Sequence, residues 1–212
     1  VQTCALPIFA FCRANKLNKV MIDGGKARFG IATAGKSYLD VMQALEDLGI
    51  DEKHAAEIGL RVYKIGMTWP LEREGVRHFA EGLEEILVVE EKRAVIENQL
   101  KEQLYNWRED VRPRVIGKFD ERGEWILPSN DELTPARIAR VIAARIARFY
   151  TSDRVQRRLA FLNEKEKALA EPRPEMKRVP YFCSGCPHNT STKVPEGSRA
   201  LAGIGCHYMA QW

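Results

Sequence analysis

The sequence predicts an α/β fold in which a parallel sheet is covered by helices, and three observations lead there. Short apolar runs at Arg28–Ala34, Leu60–Ile65 and Ile86–Glu90 have the length and β-branched content of buried strands. Each is followed by a segment whose apolar residues recur at helical spacing. Gly and Pro stand between the units, at Gly49, Pro70 and Gly82. Strands that alternate with helices pair in parallel and bury both faces of the sheet.

In the first unit, Arg28–Ala34 reads as a strand and Ser37 as an N-cap with Asp40 three positions on. Leu39, Met42, Leu45 and Leu48 then line one helical face, and Gly49 ends the helix. The second strand, Leu60–Ile65, leads through Pro70 into a helix that runs to Gly82. The third, Ile86–Glu90, precedes a helix from about Arg93 to Tyr105. Beyond it, Arg114–Lys118 and Glu124–Leu127 flank Asp120-Glu121-Arg122-Gly123, which reads as a hairpin turn. Thr134-Pro135 opens a helix with Ile138, Val141, Ile142 and Phe149 on one face, and Asp153 caps a second, highly charged one. Glu171-Pro172-Arg173-Pro174 cannot continue a helix and marks a linker.

Composition narrows the function classes. The 212 residues are 45% hydrophobic, enough for one or two globular domains. The excess of 33 basic over 29 acidic residues is too small to argue for nucleic acid. No apolar run approaches the roughly 20 residues that cross a bilayer, and no secretory signal opens the sequence, so a cytoplasmic protein without a membrane partner is expected. Five scattered cysteines do not form a disulfide framework.

Gly30-Ile31-Ala32-Thr33-Ala34-Gly35-Lys36-Ser37 satisfies the phosphate-loop pattern of nucleotide-binding proteins. A true phosphate loop follows its strand, whereas Gly30 reads as lying inside one, between Phe29 and Ile31. The structural reading, a strand and a Gly turn into a helix, is therefore preferred, with a nucleotide-binding protein as the alternative.

The densest chemistry is near the C-terminus, where Cys183, Cys186 and Cys206 accompany His188 and His207. A Cys-x-x-Cys pair directs both sulfurs to one point, and the small Ser184 and Gly185 let backbone amides turn toward bound thiolates. Three readings stay open on pattern alone: buried free thiols, a structural zinc module completed by His188 or His207, and an iron–sulfur cluster with a cysteine from elsewhere.

The run Phe182-Cys183-Ser184-Gly185-Cys186-Pro187-His188-Asn189-Thr190-Ser191-Thr192, with Gly203-Ile204-Gly205-Cys206-His207-Tyr208-Met209 after it, resembles the start of the thiamine-diphosphate domain of indolepyruvate ferredoxin oxidoreductases. These belong to the wider 2-oxoacid:ferredoxin oxidoreductases. Residues 26–110, including the Gly66-Met67-Thr68-Trp69-Pro70-Leu71 turn and Glu90-Glu91-Lys92, are similar to that family's transketolase C-terminal-like domain.

The resemblance implies an internal piece of a longer chain. Its parts would be a connecting segment at 1–25 with a non-native start, the α/β domain at 26–110, a hairpin and helical linker at 111–178, and the truncated start of a thiamine-diphosphate-binding α/β domain at 179–212. It implies oxidative decarboxylation of an arylpyruvate to the acyl-CoA, with electrons passing to ferredoxin. The implied cofactors are thiamine diphosphate, Mg2+ and a [4Fe-4S] cluster held by Cys183, Cys186, Cys206 and a distant cysteine. His188, Gly203, Gly205 and Cys206 would lie beside the thiamine cofactor. The magnesium and diphosphate ligands are expected beyond Trp212, the full-length protein is expected to be an oligomer, and this piece alone is expected to be inactive.

Overall fold

The computed structural model describes residues 2–170, 179–201 and 203–211. In order, these form α1 (Gln2–Ala14), β1 (Lys19–Asp23), β2 (Phe29–Ala34), α2 (Gly35–Asp47), α3 (Glu52–Ile58), β3 (Leu60–Ile65), α4 (Arg73–Ala80) and β4 (Glu85–Val89). There follow α5 (Val95–Leu104), β5 (Arg114–Ile116), α6 (Pro135–Ile146), α7 (Asp153–Ala170), α8 (His188–Ser191) and a 3-10 helix at Cys206–Gln211. The Pro-rich linker expected at Glu171–Pro174 lies outside the described residues. The chain divides into two compact units, one ending at Ala168 and the other beginning at Leu169.

The first unit is a five-stranded sheet in the order β1-β3-β2-β4-β5. β3, β2, β4 and β5 run parallel, and β1 closes one edge antiparallel to β3 with a register shift between Val20 and Ile22. The expected parallel sheet under helices is thus present. Its edge strands come from segments outside 26–110. β1 falls in the stretch read as a connector, because Lys19–Asp23 is short and its side chains are mostly exposed, which leaves little apolar signal.

Each face of the sheet carries its own core. On one side Phe29, Ile31, Leu87 and Val89 pack with Val41 and Leu45 of α2, its C-cap Leu48, and Ile138 and Ile142 of α6. On the other, Ala32, Tyr63, Ile65 and Val88 pack with Val76 and Phe79 of α4 and Ile96 and Leu100 of α5. The alternation of Phe29 and Ile31 against Ala32 follows from the two-residue period of a strand. β2, central and apolar throughout, is buried along nearly its whole length.

Helix faces differ from expectation in one place. α2 buries Val41, Ala44 and Leu45, with its C-cap Leu48 buried after them, while Leu39 is 65% exposed. Leu39 is two residues, or about 200°, from Val41 on the helical wheel, so both cannot face the sheet.

Side-chain caps set several helix starts but not that of α2, which begins at Gly35 with Ala34 as its N-cap, so that Ser37, expected as the cap, lies inside the helix. Asp51 Oδ1 accepts from His54 N at 2.8 Å and Gly59 ends α3 in the left-handed conformation. Glu72, almost fully buried, accepts from Glu74 N and Gly75 N at 3.0 and 2.7 Å to start α4, and is itself held by Arg13 at 2.7 Å. Thr134 Oγ1 accepts from Arg137 N at 3.3 Å, with Pro135 in the first turn of α6. α7 is capped one residue earlier than expected, since Ser152 Oγ accepts from Val155 N at 3.2 Å.

The expected hairpin is present only at its tip. Gly123 N donates to Asp120 O at 3.1 Å, and Phe119 bridges Trp125 in antiparallel fashion with the rings stacked 6.2 Å apart. Arg114–Ile116 instead pairs with β4, because the open edge of a parallel sheet captures its backbone groups.

Candidate functional site

In the second unit, the Cys183–Cys186 segment folds as a tight turn. Cys186 N donates to Cys183 O at 3.0 Å, and Gly185 takes φ +76°, the left-handed value that a type II turn requires at its third position. Asn189 Nδ2 reaches back to Cys183 O and Cys186 O, both at 3.1 Å, and fixes the turn against α8. Cys186 Sγ lies 3.2 Å from His188 Nδ1.

His188 joins the two halves of the motif. Its ring stacks on Phe182 at 5.4 Å and lies 6.3 Å from the ring of His207. His207 Nε2 accepts from Gly203 N at 3.2 Å, and Tyr208 N donates to Gly205 O at 3.0 Å. Gly205 sits at φ +147°, where an added Cβ would come within 2.9 Å of the His207 ring. Gly205 therefore leaves no room for a side chain against the His207 ring, whereas a Cβ at Gly203 would make only an ordinary 3.7 Å contact with His207 Nε2.

Cys183 and Cys206 are exposed and Cys186 is half-buried; all three are free thiols. The donors suit a thiolate-bound metal in kind, being cysteines on a small-residue turn. Among the described residues, however, no three Cys, His, Asp or Glu side chains are gathered about one point where a metal could sit. Both histidines already have a local partner for one nitrogen, His188 at Cys186 and His207 at Gly203.

The phosphate-loop alternative fails on backbone geometry. Gly30–Ala34 is extended strand, hydrogen-bonded in register to β3 and β4, and α2 begins at the next residue. No loop is left to wrap a triphosphate. Gly30 serves packing instead: an added Cβ would stand 2.4 Å from Leu83 Cδ1 and 2.8 Å from Phe79 Cζ. Lys36 Nζ is held by Asp40 at 2.7 Å and Glu132 at 2.8 Å, and the Asp40 hydrogen bond, followed by that to Glu132, raises its pKa above the ordinary lysine value.

Sequence reasoning missed a second polar arrangement at the carboxyl end of β4. Glu90 is buried there, and its carboxylate accepts from Val95 N, Ile96 N and Glu97 N at 3.1, 2.9 and 3.0 Å, capping α5. Burial pushes its carboxyl above the ordinary range against the pull of those amides. Lys118 Nζ donates to Glu90 O at 2.5 Å, and burial lowers the lysine. An acidic residue directly after a buried strand and before an uncapped apolar helix was the signal available.

Comparison with known proteins bears on both units. Residues 18–172 match the family described as the indolepyruvate ferredoxin oxidoreductase middle domain. The indolepyruvate oxidoreductase subunit IorA of Thermococcus kodakarensis is 28% identical over 186 residues, covering 85% of this chain and 25% of its own length. The corresponding subunits of Pyrococcus horikoshii and Methanothermobacter marburgensis are 30% identical over 188 and 175 residues. The chain thus spans about a quarter of the length of these curated relatives. A solved 2-oxoglutarate:ferredoxin oxidoreductase from Magnetococcus marinus aligns with 61% of this chain and 19% of its own at 19% identity and a TM-score of 0.42. With the middle-domain match extending from β1 past α7, the chain belongs to the indolepyruvate ferredoxin oxidoreductase family.

Proposed function

We propose that the chain is part of a subunit of a thiamine-diphosphate-dependent enzyme that oxidatively decarboxylates indolepyruvate or another arylpyruvate to the acyl-CoA and delivers the electrons to ferredoxin. The observation that carries this reading is the family match over residues 18–172, followed in the chain by a Cys-x-x-Cys turn whose His188 stacks beside His207. Residues 26–110 would be its transketolase C-terminal-like domain, 111–178 a connection, and 179–212 the start of the cofactor domain, in an oligomeric cytoplasmic enzyme.

Thiamine diphosphate, with Mg2+, supplies the electron sink that decarboxylation needs, and a [4Fe-4S] cluster supplies one-electron transfer. Cys183, Cys186 and Cys206 would each give a thiolate to that cluster, and a fourth ligand would come from elsewhere in the protein. Gly185 and Ser184 leave room for amides to donate to sulfur, which raises the potential of a bound centre. Gly203 and Gly205 would allow close approach of backbone to the thiamine cofactor, and His188 holds the two motif halves in register from between Phe182 and His207.

The test is a full-length subunit assembled with its partners and purified without oxygen. Iron and sulfide should be present with a cubane absorption and EPR signature, and indolepyruvate with coenzyme A should reduce ferredoxin. Cys183→Ser or Cys186→Ser should remove the cluster signal. Stoichiometric zinc without sulfide would instead identify a structural zinc module.

A further inference from the structure

Cys183 and Cys186 are the first and fourth residues of a turn closed by the 3.0 Å hydrogen bond from Cys186 N to Cys183 O. Such a turn brings its end Cα atoms within about 7 Å, and a disulfide spans roughly 4.4–6.8 Å between Cα atoms. Gly185 at φ +76° and the two 3.1 Å contacts of Asn189 Nδ2 hold the turn in that form. The two cysteines are thus brought together by the backbone itself.

Their arrangement suits a reaction of two sulfurs. Among the described residues Cys206 does not gather with them into a set of three donors, and it comes from a separate turn. A metal site needs three or four donors about one point, whereas a disulfide needs only two. Access distinguishes this pair from the core cysteine. Cys183 is exposed and Cys186 half-buried, so a small disulfide-bearing oxidant can reach the turn. Cys12 is 2% exposed and burial pushes its thiol up, and both disfavour exchange.

We propose that Cys183 and Cys186 form a reversible intramolecular disulfide on reaction with a low-molecular-weight disulfide such as glutathione disulfide. Cys183 Sγ, the more exposed sulfur, attacks one sulfur of the oxidant. The oxidant's S–S bond breaks, one glutathione leaves as the thiol with the Cys183 proton, and a mixed disulfide remains on Cys183. Cys186 Sγ then attacks the Cys183 sulfur, and the second glutathione leaves with the Cys186 proton. The two protein thiols lose two electrons and two protons, and the oxidant gains both. In the closed form neither sulfur is free for iron, so oxidation of the turn blocks assembly of the proposed cluster. That consequence rests on the functional reading above; the disulfide itself does not.

The 212-residue chain, reduced and then equilibrated with glutathione disulfide, is alkylated and digested with trypsin for mass spectrometry. Cys183 and Cys186 share the tryptic peptide 179–193, and Cys206 falls on 200–212. Peptide 179–193 should be lighter by two hydrogens and carry neither alkyl group nor glutathione, and dithiothreitol should restore two alkylatable thiols. Gly185→Ala, which puts a Cβ on a left-handed residue, should lower the ratio of closed to mixed disulfide about fivefold or more. Two alkylated cysteines, a persistent glutathione adduct on 179–193, a cross-link to 200–212, or an unchanged ratio in Gly185→Ala overturns the proposal. Iron and sulfide uptake by the full-length protein, oxidised and reduced, tests the consequence. Uptake lost on oxidation and restored by dithiothreitol supports the block, and equal uptake by both forms overturns it. Uptake by neither form counts against the cluster reading and not against the disulfide.

Discussion

At the scale of single residues, Gly30 shows how one position decides between two readings of a motif. It is fully enclosed in β2 with the Phe79 ring lying where a methyl group would go, and that ring stacks on Tyr63 at 4.8 Å. Gly30→Ala must displace Phe79 or Leu83 and should cost about 1–3 kcal/mol of stability by denaturant melts. The cost should shrink in a Phe79→Leu background, because the two side chains share one space. A Gly30→Ala protein within about 0.5 kcal/mol of native would show that the glycine has no packing role. Two carboxylates act oppositely on stability with pH. Hydrogen bonding from its own backbone amide, with Arg148 and Arg145, holds Glu121 down to about 2. Its unfolded value is near 4.5, so its contribution is present above 4.5 and is lost as pH falls toward about 2. Glu90 is raised by burial, so the folded state keeps its proton longer than the unfolded chain does. Its effect is to lower stability as pH climbs from the ordinary carboxylate value of 4.5 toward its own higher value. Urea melts across this range should therefore show a shallower acid limb in Glu121→Gln, and Glu90→Gln should remove the decline on the other side. Identical profiles for all three proteins would refute both assignments.

At the scale of elements, three of the four parallel strands were legible because Phe29–Ala34, Leu60–Ile65 and Glu85–Val89 are largely apolar runs bounded by Gly or charge, and local composition is enough to mark such strands. α6 was legible for a similar reason, with a Thr cap, a Pro in its first turn and apolar residues at helical spacing. What escaped was decided by distant partners. Arg114–Ile116 carries the pattern of a hairpin arm, yet the free edge of β4 is what it meets. β1 is recognisable as a strand only from its pairing with β3. α3 could have been found from Asp51 and Gly59, a cap and a stop with seven helical residues between them, but it is too short for periodicity to register. In the cysteine segment, the Ser184-Gly185 turn followed from residue type. The approach of His188 to His207 did not, since it depends on how the chain between them returns.

For the whole molecule, the distribution of buried side chains divides the labour. Among the described residues, every buried apolar one lies between Cys12 and Val155, and within 179–211 none is buried. Two cores enclosing a five-stranded sheet suffice for cooperative folding of the first unit. The second must draw its order from something other than a hydrophobic core, and for so short a segment a bound metal centre or a partner surface is the physical alternative. A chain truncated after Ala170 should accordingly unfold cooperatively with a thermal midpoint within about 2 °C of the 212-residue chain. In the longer chain without added iron or sulfide, amides of 179–211 should exchange with solvent at close to unprotected rates, while β2, β3 and β4 exchange only by global unfolding. In full-length protein reconstituted with iron and sulfide, the proposed cluster should protect the amides of Ser184, Gly185, Cys186 and His188, and Cys183→Ser should abolish that protection without changing exchange in the sheet. Strong protection of 179–211 in the metal-free 212-residue chain would contradict the argument, because it would require a core that these residues do not contain.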